Sequence, residues 1–357
     1  MMDAGGCPGF AEAVARERAE AAAVKGCLSL AFAKKKRVYE APLPLAPIAD
    51  THAHLLSFWG KDPADALARA ALAGDRLLIT LLDPVADRMD APAFRERLDA
   101  WIEQARGLLG QPGDGSRTDR AACAAVEESA LLPAISLLDN VRYLCGVHPY
   151  GAPEYTDAVY ACLEAALDDP LCVGIGEIGL DYHFDRDDDV APAPHAVQIE
   201  VMERQLDLAV RRDVSVELHL RHEADDDART SHRDAHDVLR RCGIPAAGCV
   251  LHCFGEDRAT MERFVELGCH IAFGGAATFK RNDAVREAFA ACPLDRILLE
   301  TDCPYMSPEP LRGLECEPAM IAFTAEALIR DRADRTGEDP EAIAQALWEN
   351  AQDLFSR

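Results

Sequence analysis

Ile48-Ala49-Asp50-Thr51-His52-Ala53-His54 is the stretch on which the reading of this chain turns. A short apolar run leads to an acid and then to two histidines one residue apart. In extended backbone, residues i and i+2 point the same way, so His52 and His54 can share one face. Short apolar runs of this size return down the chain, at residues 77–82, 143–147, 172–175, 214–218, 249–251, 270–273 and 297–299. With 48–50 they make eight. Amphipathic helical patterns lie between most of them, as at 197–211 and 258–267. Strand-helix alternation implies right-handed βαβ units and a parallel sheet. Eight units predict an α/β fold closed as a (β/α)8 TIM barrel.

Residues 1–44 read as an N-terminal helical extension, and 45–357 as the barrel. The segment 11–33 is Ala-rich with helical spacing, and Lys34-Lys35-Lys36-Arg37 follows. Pro42, Pro44 and Pro47 then break any helix, which places the boundary near Pro44. The extension is expected to pack on the barrel as a surface helix. Two stretches, 110–120 and 225–234, read as inserted solvated loops.

The chain has 357 residues, 49% hydrophobic and 28% charged, a globular balance that excludes a disordered or fibrous protein. No run of about 18 apolar residues exists, so no transmembrane helix is expected. The N-terminus lacks a basic region ahead of an apolar one, so it does not read as a secretion signal. The 13 cysteines are odd in number and include no C-x-x-C pair. Reduced thiols in a cytoplasmic protein are the simpler reading. Against 62 acidic side chains stand 37 basic ones, a formal net charge of −25. Bulk electrostatics then oppose nucleic-acid binding. A polyanionic substrate would need a local agent, such as bound divalent cations.

Histidines and acids gather where the apolar runs end, which in a (β/α)8 barrel is the active-site rim. Glu177 stands in Gly176-Glu177-Ile178-Gly179-Leu180-Asp181-Tyr182, where a glycine-flanked carboxylate can bridge two ions. His219 ends the fifth run in Glu217-Leu218-His219-Leu220-Arg221, and His252 ends the sixth in Leu251-His252-Cys253-Phe254. Asp302 follows the eighth, in Glu300-Thr301-Asp302-Cys303-Pro304-Tyr305. His52, His54, Glu177, His219, His252 and Asp302 are N/O donors suited to Zn²⁺, Mn²⁺ or Fe²⁺, with Mg²⁺ also open. Six ligands fit two divalent ions sharing Glu177. A water bridging them is a hydroxide near neutral pH, and Asp302 could take its proton as general base.

These motifs, with Cys145-Gly146-Val147-His148-Pro149, Arg312-Gly313, Glu317-Pro318 and Glu349-Asn350-Ala351, resemble in order those of the TatD family of metal-dependent deoxyribonucleases. The resemblance covers most of 46–357. It implies phosphodiester hydrolysis, often 3′-to-5′ removal of nucleotides from DNA, with the six residues as metal ligands and Asp302 and Glu177 carrying the catalysis. It implies that Arg221 contacts a phosphate; the alternative is an arginine paired to a rim carboxylate. His148 is expected to support the site rather than ligate. DNA or another phosphodiester is the implied partner, with no membrane and no obligate protein partner.

The chain also departs from the family pattern. It reads Leu311-Arg312-Gly313-Leu314-Glu315-Cys316 where similar proteins carry His-Arg-Gly-Lys-x-Asn, and the link after Arg221 gains a residue, His222-Glu223-Ala224. Lys280, Arg281 and Arg312 remain to guide a strand end. The competing function is a small-molecule amide, lactone or ester hydrolase on the same barrel. A binding protein that kept only the fold is a third reading, opposed by the full ligand set.

Overall fold

The computed structural model describes residues 9–24, 28–110, 136–185 and 190–355. The expected helix in the extension is α1 (Phe10–Val24), but it does not run to residue 33. An antiparallel hairpin follows, β1 (Ala31–Lys34) and β2 (Arg37–Glu40). The basic run is thus the tip of a hairpin, where Lys35, Lys36 and Arg37 are exposed and Lys34 donates to Pro310 O at 2.6 Å. Alanine content concealed the strand, because Ala31 and Ala33 satisfy a helical pattern equally well.

Eight parallel strands then form a single sheet. They are β3 (Ile48–Ala53), β4 (Asp75–Leu82), β5 (Val141–Cys145), β6 (Cys172–Asp181), β7 (Ser215–Arg221), β8 (Cys249–Leu251), β9 (His270–Phe273) and β10 (Ile297–Leu299). Each pairs in sequence order with the next. The two edges meet: Asp302 donates its backbone N–H to His52 O at 2.9 Å, and His54 donates to Cys303 O at 2.8 Å. Buried Asp50 of β3 ties the same seam, accepting from Thr301 N at 2.9 Å and Thr301 Oγ1 at 2.6 Å. The result is a nearly closed barrel.

Side-chain alternation along β4 divides the core in two. Leu77, Ile79 and Leu81 pack with Leu144, Val250, Ala272 and Leu298 inside the barrel. Leu78 and Leu82 face outward into the layer beneath the helices. That outer layer comprises α2 (Pro63–Ala73), α3 (Ala91–Gly110), α4 (Asp157–Ala166), α5 (His195–Arg212), α6 (Thr230–Cys242), α7 (Arg258–Val265), α8 (Asp283–Ala291), α9 (Ile321–Thr336) and α10 (Pro340–Phe355). Leu354 and Phe355 of α10 join the inner cluster, so the last helix plugs the end of the barrel that they reach.

The expected loop at 110–120 begins at Gly110, the last residue of α3, and its remainder lies outside the described residues. The stretch 225–234 is a loop only to Arg229, because Thr230–Asp234 already belong to α6. Among the described residues no helix is long and apolar enough to cross a membrane.

The extension is bolted to the barrel by Arg18. Its guanidinium donates to Leu72 O at 3.0 Å, Ala73 O at 3.0 Å, Ala41 O at 2.6 Å and Pro42 O at 2.9 Å. Leu72 and Ala73 close α2, whose last carbonyls carry partial negative charge and favour a cation. Gly74 then turns the chain into β4 at φ 111°, a left-handed conformation that suits glycine. Replacing Arg18 by Met would keep the bulk and remove all of these bonds. We expect a loss of about 2–4 kcal/mol, read as a lower urea midpoint, with the metal content of the barrel unchanged.

Candidate metal centre

Local irregularities in two strands aim the central side chains. The register of β3 against β4 shifts between Asp50 and Ala53, and that of β6 against β7 shifts between Ile175 and Ile178. His52 and Glu177 sit in these offsets, where a bulge redirects a side chain. Glu177 therefore lies within β6, rather than in a loop after it, and His219 lies within β7. The sequence understated β6 because its glycines argue against a strand. Gly179 explains one of them: at φ 139°, a Cβ there would stand 2.1 Å from His219 O. His252 and Asp302 directly follow the short strands β8 and β10, as expected, apart from the two residues that separate Asp302 from Leu299. Asp302 has φ 55°, a left-handed turn that aspartate tolerates.

The six predicted residues converge. His52 Nε2 and His54 Nε2 are 3.0 Å apart. Asp302 Oδ1 is 3.5 Å from His54 Nε2 and 3.9 Å from His52 Nε2. Glu177 turns Oε1 to this group, 3.6 Å from His54 Nε2. Its other oxygen, Oε2, is 2.9 Å from His252 Nε2 and 3.3 Å from His219 Nδ1. His219 Nδ1 and His252 Nε2 are themselves 3.2 Å apart. Donor atoms around one tetrahedral ion with bonds of about 2.0–2.1 Å lie roughly 3.4 Å from one another. Both groups have that spacing, and Glu177 belongs to each.

Two carboxylates that sequence reasoning assigned no role hold the histidines from behind. Buried Glu217 of β7 faces His52 Nδ1 at 2.9 Å, and Asp181 at the end of β6 faces His219 Nε2 at 2.9 Å. Each can accept the outer ring N–H, and in that tautomer the inner nitrogen's lone pair is left for a cation, the pattern of a supported metal-ligating histidine. The available signal was an acid inside an apolar strand, two residues before His219 in one case and four after Glu177 in the other. His252 has no such bond: its Nδ1 is buried without a partner, 4.0 Å from Glu300 Oε1.

The electrostatics are those of a site that draws positive charge. Burial alone would raise the Glu177 carboxyl, but hydrogen bonds from His219 and His252 carry it well below its ordinary range. Burial opposes charge on His54 and His219, yet the neighbouring carboxylates lift them to about 9 and about 10. His52, buried and beside His54, is pushed down to about 4. Burial lifts Glu217 to about 8.

Arg221 has a half-exposed side chain at the mouth, with Nη1 3.8 Å from Asp185 Oδ2 and 4.0 Å from Asp181 Oδ2. Both sequence readings of it survive: it faces rim carboxylates loosely and remains open to an anion. His148 stands edge-on to His219, with ring centroids 4.4 Å apart, and its Nδ1 accepts from Tyr150 N at 3.1 Å. Lys280 and Arg281 are exposed, and Arg312 lies over the Phe279 ring at 4.2 Å. Glu315, in the altered segment, accepts from Trp59 N at 2.7 Å and Gly60 N at 2.9 Å.

A family model described as TatD related DNase matches residues 49–356. An uncharacterized metal-dependent hydrolase TatD from Mycobacterium tuberculosis is 31% identical over 312 residues, covering 86% of this chain and 97% of that protein. A protein from Erwinia billingiae, named 3′-5′ ssDNA/RNA exonuclease TatD, is 31% identical over 219 residues, covering 59% of this chain and 76% of its own. The crystal structure of the TatD homologue YJJV from Escherichia coli superposes with a TM-score of 0.62 at 27% identity, covering 87% of this chain and 98% of that one.

Two outcomes follow from the geometry. Glu217→Ala would free the outer nitrogen of His52, and divalent-ion affinity should fall roughly 10- to 100-fold, measured by competition with a chelating dye. Gly179→Ala would force β6 away from His219, and the same titration should show weakened binding although no donor atom has been removed.

Proposed function

The chain belongs to the TatD-related DNase family of metal-dependent hydrolases, and from that membership we propose that it cleaves phosphodiester bonds of DNA, releasing nucleotides from the 3′ end. The observation that carries this reading is the shared carboxylate. Glu177 sets its two oxygens toward separate donor groups, His52–His54–Asp302 and His219–His252, which would suit two divalent ions. When bound, such ions supply an activated water and the positive charge that in-line displacement at phosphorus requires. Zn²⁺, Mn²⁺ or Mg²⁺ would each suit the donors.

The chain's own residues account for the rest. The backbone bond to His52 O fixes Asp302 beside the centre, and in this reading its carboxylate accepts the proton of the attacking water. Glu217 and Asp181 keep His52 and His219 in one orientation through turnover. Arg221 offers its planar fork to a phosphate oxygen at the mouth.

An unpaired strand end also finds an aromatic surface. Tyr305, 49% exposed, has its ring 6.1 Å from that of His54, and Trp59, 64% exposed, lies 6.0 Å from Tyr305. Exposed rings beside a reactive centre give bases a surface on which to stack. The relative from Erwinia billingiae named as a single-strand exonuclease supports the same reading.

The test is cleavage of end-labelled single- and double-stranded DNA by metal-free protein supplied with Mg²⁺, Mn²⁺, Zn²⁺ or Co²⁺. We expect a metal-dependent ladder that shortens from the 3′ end. Asp302→Asn should lower kcat about 10²- to 10⁴-fold, and Trp59→Ala should raise KM for single-stranded DNA while sparing a small chromogenic phosphodiester. Failure to cleave DNA with any metal, in a protein that still binds ions at Glu177, would overturn the proposal and favour a small-molecule ester, lactone or amide substrate.

A further inference from the structure

The two segments that depart from the sequence pattern of the barrel, the lengthened link after Arg221 and the stretch at 225–234, meet a third segment in space. His222 follows the end of β7. His232 lies in the first turn of α6. Glu256 precedes Asp257, the residue that caps α7. Glu256 Oε1 is 3.4 Å from His222 Nδ1 and 3.9 Å from His232 Nε2, and the three donor atoms all lie within 4.8 Å of one another. These separations approach the roughly 3.4 Å edge of a tetrahedral site with bonds of about 2.0–2.1 Å.

The surroundings look built rather than incidental. His232 is buried, and its other ring nitrogen, Nδ1, meets Ser231 Oγ at 3.3 Å, so Nε2 is the nitrogen turned to the cluster. His222 and His232 hold their rings edge to face, 5.5 Å apart. Glu256 is mostly buried, and Arg229 anchors it: Nε bonds Oε2 at 2.5 Å while Nη2 reaches Asp257 Oδ2 at 2.9 Å. That bond occupies one Glu256 oxygen and leaves the other aimed at the two imidazoles, much as an outer partner fixes a ligating carboxylate. The Arg229 charge, bonded to the other Glu256 oxygen, would weaken a cation's hold.

We infer that His222, His232 and Glu256 form a separate site for a borderline divalent transition ion of the Zn²⁺ class. Its donor set of two imidazoles and one carboxylate leaves a coordination position open. None of its donors is shared with the Glu177 centre. Because His222 adjoins Arg221, an ion held there would add positive charge at the mouth of a chain whose net charge is −25, where a phosphate could meet it. That last consequence rests on the phosphodiester reading; the site itself does not.

The experiment compares full-length protein, stripped with a chelator and reloaded with Zn²⁺, with His222→Ala and His232→Ala treated alike. Bound metal is measured per chain, and crystals of the reloaded protein are examined by anomalous scattering at the zinc edge. The unaltered protein should carry one more ion than either variant, with a peak among His222 Nδ1, His232 Nε2 and Glu256 Oε1. Glu177→Gln should keep that peak while losing occupancy at its own centre. His222 is partly exposed, so His222→Ala tests the site without disturbing the core beneath His232. Equal zinc content in the unaltered protein and His222→Ala, with no peak at the three donors, would overturn the inference. A peak there with nothing bound at Glu177 would uphold this site and sink the two-ion reading of the main centre.

Discussion

A single carboxylate sets the layout of the barrel rim. Glu177 must present one oxygen to His54 and the other to His219 and His252, and such separations tolerate errors of only a few tenths of an ångström. Strands hold that tolerance better than loops do. The donors come from strands, or from the residues just beyond them. The offset in β6 turns Glu177 inward, the matching offset in β3 does the same for His52, and Glu217 and Asp181 fix the histidines from behind. The barrel serves as the frame that keeps these directions constant.

Much of this was legible in the sequence because strand ends and chemistry coincide. Each of the eight apolar runs became a strand, and the six donors predicted at their ends converge. What stayed hidden has physical causes. Glu217 alternates correctly for the inward face of β7, but an acid in an apolar strand does not announce which histidine it will meet. The hairpin at 31–40 was lost because alanine fits both periodicities. The length of β6 was lost because its glycines suit a loop as well as a strand, and here they let β7 approach. The cluster of His222, His232 and Glu256 joins three elements, and only the fold could bring them together.

The acidity of the chain bears on how it could handle an anion. Many of its positive groups are already engaged: Arg18 with carbonyls, Lys61 and Arg69 with Glu317, Arg229 with Glu256 and Asp257. Arg221 is a partial exception, since its nearest carboxylates stand 3.8 and 4.0 Å away. Long-range steering therefore works against a polyanion, and attraction would be confined to the mouth, where cations held by the histidine and carboxylate donors would oppose the background. Such a protein would discriminate by contact rather than by capture from a distance.

The seam between β3 and β10 also sets an order of events during biosynthesis. The donors Glu177, His219 and His252 have all emerged once the chain passes β8, so that group can assemble on a partial barrel. The group around His52 and His54 must wait for Asp302, and until then the outer edge of β3 has no partner for its backbone. An open strand edge in a long nascent chain invites wrong pairings. A message cut short before residue 302 would thus yield a product with an unsealed sheet and five of its six donors. The reacting centre is completed by the same segment that protects the sheet, so the chain gains its chemistry only as it becomes safe from aggregation.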